Sequence, residues 1–472
     1  MKSTWGRPAS STTSWSVRLR SRSGAKPGSS SARCRTTRSS RPRSICSGAR
    51  TRPWRSSAPP TRRARASPRR RAEPARPPRA RAPADRSAGA GRAGGGGVYR
   101  HPRLRSRPRR SSAAASPPVI PSPGRGRELR ASRNILERRL SARVVVTRAG
   151  QVESEHHVDV AVSDGRRPVA SAGDPGVVTF LRSAGKPLQA LPVVEDGAAR
   201  RFRLTGSELA LCCASHNAEP RHVRAALSIL RKAGLEEGDL ACGPHAPMRA
   251  SEATRMVAAG EKPRSVHNNC SGKHAGMLAL AVHHGWPTEG YHRAGHPVQE
   301  RMRAEIVRWA GVADADVGAG VDGCGVLTFS VPVQAMADAL ARFGGAAAAG
   351  EPGPAAVVDA VARHPFMIAG SGRLCTALLQ ATGGRVVPKT GAEGVYCAMV
   401  PSRGLGIALK VEDGARRAAD VALVEVLAIL DLLSAPELEQ LAEWRRPVLL
   451  NTLDEAVGEV RAEIELERRR RR

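Results

Sequence analysis

Short valine-rich runs, broken by Gly and Asp turns, open the last two thirds of the chain. Residues 144–147, 157–162, 168–171 and 177–181 each predict a short strand, and together they predict an antiparallel meander. The period then changes. From Ser183 to about Ala310, apolar residues recur at i, i+3 and i+4 within 186–194, 208–214, 223–233 and 277–284, the pattern of amphipathic helices. Strand patterns return over 385–387, 394–400 and 405–411, ahead of a long apolar helix over 418–433. Strands at both ends around a helical middle predict one α+β unit, with an antiparallel sheet drawn from both ends and helices packed beside it. There is no internal repeat.

Residues 1–140 break this pattern. They are built of Arg, Ser, Pro, Ala and Gly and hold 37 of the 76 lysines and arginines but 4 of the 42 acids, so 141–472 carries a net charge of only +1 against +34 for the whole chain. Such a composition buries too little apolar surface to offset chain entropy and predicts a disordered extension. Its arginines could neutralise phosphates, so any nucleic-acid contact is expected only through this arm, although aromatics for base stacking are sparse. A transit peptide shares the Arg and Ser bias but not the density of helix-breaking Pro and Gly. The plainest account is an upstream extension from a misassigned start, and because the next methionine is Met248, a start near 140 would use another codon. Residues 141–461 are then the folded unit and 462–472 a charged, solvated tail.

No run of 18 apolar residues and no export signal appears, which predicts no membrane partner and a cytoplasmic protein. Seven of the nine cysteines fall in the folded unit, which is large enough to need no disulfides, so free thiols or metal ligands are expected.

Candidate chemistry begins at Arg182-Ser183-Ala184-Gly185-Lys186-Pro187. A helix starting at Ser183 would bring Ser183 and Lys186 onto one face, and a serine needs such a base nearby to become a nucleophile. Ser215-His216-Asn217 follows, and Lys389-Thr390-Gly391 heads a late strand pair. S-x-x-K, S-x-N and K-T-G, in that order, are the order of serine β-lactamases and penicillin-binding proteins. There the first serine attacks, its lysine manages the proton, the second serine relays protons, and K-T-G offers a cation and a backbone edge to the substrate carboxylate. Cys270, Lys273 and Cys324 could hold zinc with a fourth position open, or the cysteines could simply be buried thiols in a reducing compartment; their spacing does not decide. The pair Cys212-Cys213 is most simply core packing.

Together, 181–190, 213–220, 267–274, Asp322-Gly323-Cys324-Gly325 and 389–394 resemble the L-asparaginase II family of the Rhizobium etli type, over about 144–461. The resemblance implies a serine β-lactamase-like or penicillin-binding-protein-like fold, hydrolysis of L-asparagine to L-aspartate and ammonia, and a homodimer. It also implies two serine–lysine tandems, Ser183 with Lys186 and Ser215 with Lys389, and zinc on Cys270, Lys273 and Cys324 that aids substrate binding. Asp322 and His274 are implied close to the metal, and Arg182 beside the nucleophile, all three as substrate-binding residues. Which serine attacks stays open. Two positions depart from the family pattern: Leu327 stands where proline often follows the Asp-Gly-Cys-Gly turn, and Ala218 where glycine is usual before Glu219. Pro388 lacks a ladder donor and suits an edge strand. A glutaminase, one methylene away in substrate, a β-lactamase-like amidase, and a nucleic-acid-binding protein using the basic arm are the alternatives.

Overall fold

The computed structural model describes residues 142–469; the extension and the final three arginines, with the expectations attached to them, lie outside the described residues. The described chain opens with β1 (Ala142–Arg148), β2 (Gln151–Ser163) and β3 (Pro168–Ala172), which pair antiparallel as expected. Next come β4 (Val178–Phe180), β5 (Gly318–Val321) and β6 (Leu327–Pro332), then β7 (Val387–Thr390), β8 (Val395–Val400) and β9 (Leu405–Val411), and finally β10 (Val448–Leu450), β11 (Ala456–Ile464) and β12 (Glu467–Arg468). The main sheet runs β10-β11-β1-β2-β9-β8-β7, with β3 on β2 and β12 on β3. All its pairings are antiparallel. It is a mixed fold of helices and antiparallel sheet, with strands drawn from 142–172 and from 387–468.

A half-buried strand alternates, but all six residues of β8 are buried, because both sheet faces are covered. Helix Val333–Ala348 packs on β2, β8 and β9, and helix Arg416–Ile429 packs on β1, β8, β9 and β11. The first helix comes so close that a Cβ at Gly406 would stand 2.1 Å from the carbonyl oxygen of Ala337 and 2.4 Å from the nitrogen of Ala341. Only glycine fits there.

Two sequence expectations need correction. The run at 177–181 leaves the meander: β4 pairs with β6 in a separate three-stranded sheet, β4-β6-β5. Strand propensity says that a segment extends, not which partner it finds. The stretch expected as a tail from 462 begins inside β11, where Val460, Ala462 and Ile464 alternate with charged residues. Its charges belong to a cross-strand ladder, with Arg143 2.8 Å from Glu155 and 2.7 Å from Glu463, and Arg461 2.8 Å from Glu463. Pro388 does lie on an edge, since β7 ends the sheet. No described helix is long and apolar enough to cross a membrane.

The helix seated on Gly406 gives a paired prediction. Gly406→Ala should lower unfolding stability by about 2–3 kcal/mol through overpacking. Gly345→Ala, within the same helix and with nothing within 4 Å of its added Cβ, should raise it by roughly 0.5–1 kcal/mol. Urea denaturation of both variants checks the signs.

Candidate active site

The site starts at a strained residue. Beyond β4, Leu181 donates its N–H to the carbonyl of Phe329 at 2.8 Å, and Arg182 then takes φ +49°, a left-handed conformation that costs a non-glycine residue about 1–2 kcal/mol. It is held from two sides: its N–H donates to Oγ1 of Thr328 at 3.2 Å, and its Nε to Oδ1 of Asp322 at 2.7 Å. Burial works against the charge on Asp322, but Lys273 and Arg182 outweigh it and keep the carboxylate below its usual range. Ser183 follows in a 3-10 turn, Arg182–Gly185, and the α-helix Lys186–Glu195 begins only at the lysine. Proline explains the delay. Pro187 has no N–H, so it fits the first turn of a helix but would break one begun at Ser183, where its N–H would have to bond the serine carbonyl.

This junction turns Lys186 away from a simple one-turn pairing. Its Nζ donates to Oγ of Ser215 at 3.0 Å, to the carbonyl of Ala214, and to Sγ of Cys270 at 3.2 Å. Ser215 follows the helix Gly206–Cys212, whose start carries a Thr205/Glu208 capping box, and its segment is pinned by backbone bonds from Ser215 to Ile368 and from Asn217 to Ala369. Lys389, from β7, donates to the same hydroxyl at 3.1 Å and to the carbonyl of Thr390 at 2.8 Å. Ser215 thus sits between both lysines. Burial, then the nearby Lys186 charge, pulls Lys389 down to about 7, so a large fraction is a free amine at neutral pH.

The cysteines and Lys273 also converge. Helix Ser271–His284 presses on helix Gly206–Cys212 at Gly272, where a Cβ would lie 2.4 Å from the carbonyl oxygen of Leu211. That contact sets Cys270, just before the helix, against Lys186. A hydrogen bond from Cys324 and the charges of Lys186 and Lys273 overcome burial and hold Cys270 well below the usual thiol range, while that same hydrogen bond and burial push Cys324 up. Lys273 donates to Sγ of Cys324 at 3.2 Å. Burial opposes its charge, but Cys270, Cys324 and Asp322 outweigh that and raise it.

Cys270 and Cys324 are donors of the kind zinc takes, and the Lys273 amine joins them only on giving up the proton that its neighbours favour. Among the described residues no three His, Cys, Asp or Glu side chains are grouped to hold a metal, so zinc here depends on Lys273 as the third donor. Cys212 and Cys213 are core residues. His274 is fully buried; its Nδ1 pairs with the Tyr291 hydroxyl and its Nε2 has no partner.

A cavity of about 250 Å³ opens above the two serines. At about 30 Å³ per water it has room for roughly eight waters, enough for an amino-acid-sized ligand. Ser183, Ser215, Asn269, Arg373, Glu393 and Arg416 are on its wall, along with the rest of 390–395. Arg182, Asp322 and His274 do not line it, nor do the metal candidates. Asn269 lay unremarked inside the 267–274 motif. Arg373 and Arg416 carried no motif; the one signal for Arg373 was the turn Gly370-Ser371-Gly372 before an apolar helix.

Both departures from the family pattern have local reasons. Ala218 has φ +60°, the conformation glycine would take without strain. Leu327 donates its N–H to Oε1 of Gln299 at 3.2 Å, a bond proline could not make.

The arrangement of a cavity-lining serine, a second serine shared by two buried lysines, and a base held near neutrality is that of an amide-cleaving hydrolase. The family model for L-asparaginase II matches residues 144–462, and the chain belongs to that family, an asparaginase-type amidohydrolase. No curated protein matches the sequence. Among solved structures, a protein described as a beta-lactamase candidate from Bacteroides dorei DSM 17855 is 14% identical at TM-score 0.32, over 65% of this chain and 98% of that one. Mglu, in its native form in 4.3 M NaCl, is 17% identical at TM-score 0.27, over 58% of this chain and 61% of Mglu. At these TM-scores neither bears on the fold.

Ala218→Gly should raise stability by about 0.5–1 kcal/mol, the relief of left-handed strain less the entropy glycine adds to the unfolded chain. A lower urea midpoint for the variant would contradict a left-handed Ala218.

Proposed function

We propose that the chain is an L-asparaginase that releases ammonia from L-asparagine by double displacement on a serine β-lactamase-like scaffold. The observation that carries this reading is the Ser215 hydroxyl between Lys186 and Lys389, at the edge of a cavity that also exposes Ser183. Oγ of Ser183 attacks the side-chain amide carbon, and its proton passes through Ser215 to the neutral Lys389 amine. The proton returns by the same route to the leaving nitrogen, ammonia departs, and an aspartyl ester remains on Ser183. Water adds to that ester with the same base accepting its proton, the proton returns to Oγ of Ser183 as the ester bond breaks, and L-aspartate leaves. Lys186, beside Cys270, orients Ser215 and weakens the hold of Lys389 on its proton.

Zinc on Cys270, Lys273 and Cys324 is part of the proposal; when bound it supplies a fixed positive charge that favours substrate binding. Cys270 is already poised as a thiolate, and Lys273 would give up its proton on ligation. The seven unpaired buried cysteines suit a cytoplasmic setting. For a homodimer, the small sheet offers an apolar face where Val178 and Phe180 are 61% and 40% exposed.

Ammonia release from L-asparagine should fall by at least ~10³-fold in Ser183→Ala, and chelation of zinc should raise KM with little change in kcat. Failure of folded, zinc-supplied protein to release ammonia from asparagine or glutamine would end the asparaginase reading. A base must be unprotonated to accept a proton, and the pKa of Lys389 is lowered to about 7, so kcat/KM should climb with pH through an apparent value near 7 and be lost below it. A profile flat from pH 6 to 9 would remove Lys389 from this role.

A further inference from the structure

Arg373 is 7% exposed, yet it borders the cavity that Ser183 and Ser215 share. Its contacts are neutral: Nη1 donates to Oδ1 of Asn217 at 2.9 Å and approaches Sδ of Met248 at 3.6 Å. Among the described residues no carboxylate lies within ion-pair distance of it, the cavity-lining Glu393 included. Burial and the neighbouring Arg416 charge work against its cation, and the Asp420 carboxylate, already paired with Arg416, offsets only part of that from beyond ion-pair distance. A buried guanidinium without a counter-ion is strongly unfavourable unless an anion arrives to pair with it. Arg416 lines the same cavity and is only loosely paired, 3.5 Å from Asp420. Lys389, the cation that the K-T-G motif suggested for the substrate carboxylate, is 2% exposed and aims at Ser215 and the carbonyl of Thr390. The cavity therefore has a vacant anion partner in a different place from the one the motif order suggested.

We propose that Arg373, with Arg416 beside it, is the receptor for the α-carboxylate of an amino-acid amide. A planar guanidinium meets a carboxylate with two parallel N–H donors, which fixes the ligand's orientation as well as holding it. The anchored carboxylate then sets the side-chain amide toward Ser183. This assignment rests on the amidohydrolase reading above and adds the substrate class: free amino-acid amides, in preference to amides lacking the carboxylate.

The test compares L-asparagine with 3-aminopropanamide, the same molecule without its carboxylate, using the full-length zinc-supplied protein. The wild type should prefer L-asparagine by about 100-fold or more in kcat/KM. Arg373→Met should lower kcat/KM for L-asparagine about 100-fold, chiefly through KM, and leave 3-aminopropanamide within about twofold; Arg373→Lys should recover part of the loss. An equal fall for both substrates, or an unchanged KM for L-asparagine, would overturn the assignment. Calorimetric binding of L-aspartate gives a readout free of turnover, and Arg373→Met should abolish it. A protein that hydrolyses neither amide but binds L-aspartate through Arg373 keeps the receptor and loses the asparaginase. One that hydrolyses L-asparagine equally well as Arg373→Met keeps the asparaginase and loses the receptor.

Discussion

Two buried lysines share one serine hydroxyl, and the rest of the site answers to that arrangement. Lys186 and Lys389 are 1% and 2% exposed and both donate to Ser215. Two ammonium ions cannot be held this close away from water at ordinary lysine pKa values. One of them, Lys186, lies 3.2 Å from Cys270, whose thiol is held well below its usual range by Cys324 and the nearby lysines. Lys389 has no comparable neighbour among the described residues, and it gives way by losing affinity for its proton. The cysteines are thus electrically coupled to the cluster of Ser215 and its two lysines, because Cys270 lies against Lys186 and is hydrogen-bonded with Cys324.

Backbone strain shapes the approach to this centre. Arg182 precedes Ser183 in a left-handed conformation, and Ala218 does so just after the Ser215 segment. Strain persists only where the surroundings over-determine the backbone. For Arg182 those surroundings are Thr328 and Asp322, roughly 140 residues away and carried by the small sheet. That gives the small sheet a purpose the meander could not serve: it fixes the turn from which Ser183 faces the cavity. Arg182 and Asp322, read from resemblance as substrate-binding, are held here against each other and off the cavity wall.

Much of this was legible along the chain because it depended on local pattern. The valine-rich runs at 144–147 and 157–162 and the periodic helices were found near where they occur, and Pro388 was rightly given an edge. Partner choice was not legible. β4 had the composition of its neighbours and a different partner, β5 is mostly glycine and alanine, and the charged residues of β11 looked like a tail until β1 brought Arg143 opposite Glu463. Arg373 was missed for a related reason: one arginine among many is marked only by being buried without a counter-ion.

The sequence by itself determined the candidate groups and their order: Ser183, Lys186, Ser215, Cys270, Lys273, Cys324 and Lys389 stand in motifs that resemble the family's, and a motif is a statement about neighbours in the chain. Pro187 also argued against an α-helix begun at Ser183, although the serine–lysine spacing suggested one, and the start at Lys186 came from the structure. Only the tertiary structure decided which lysine reaches which serine, that Cys270 lies against Lys186, and that a buried arginine with no ion-pair partner among the described residues stands on the cavity wall. Those are facts about distance and burial between residues dozens to hundreds of positions apart. The field one buried charge exerts on another depends on both, and neither is written in spacing along the chain.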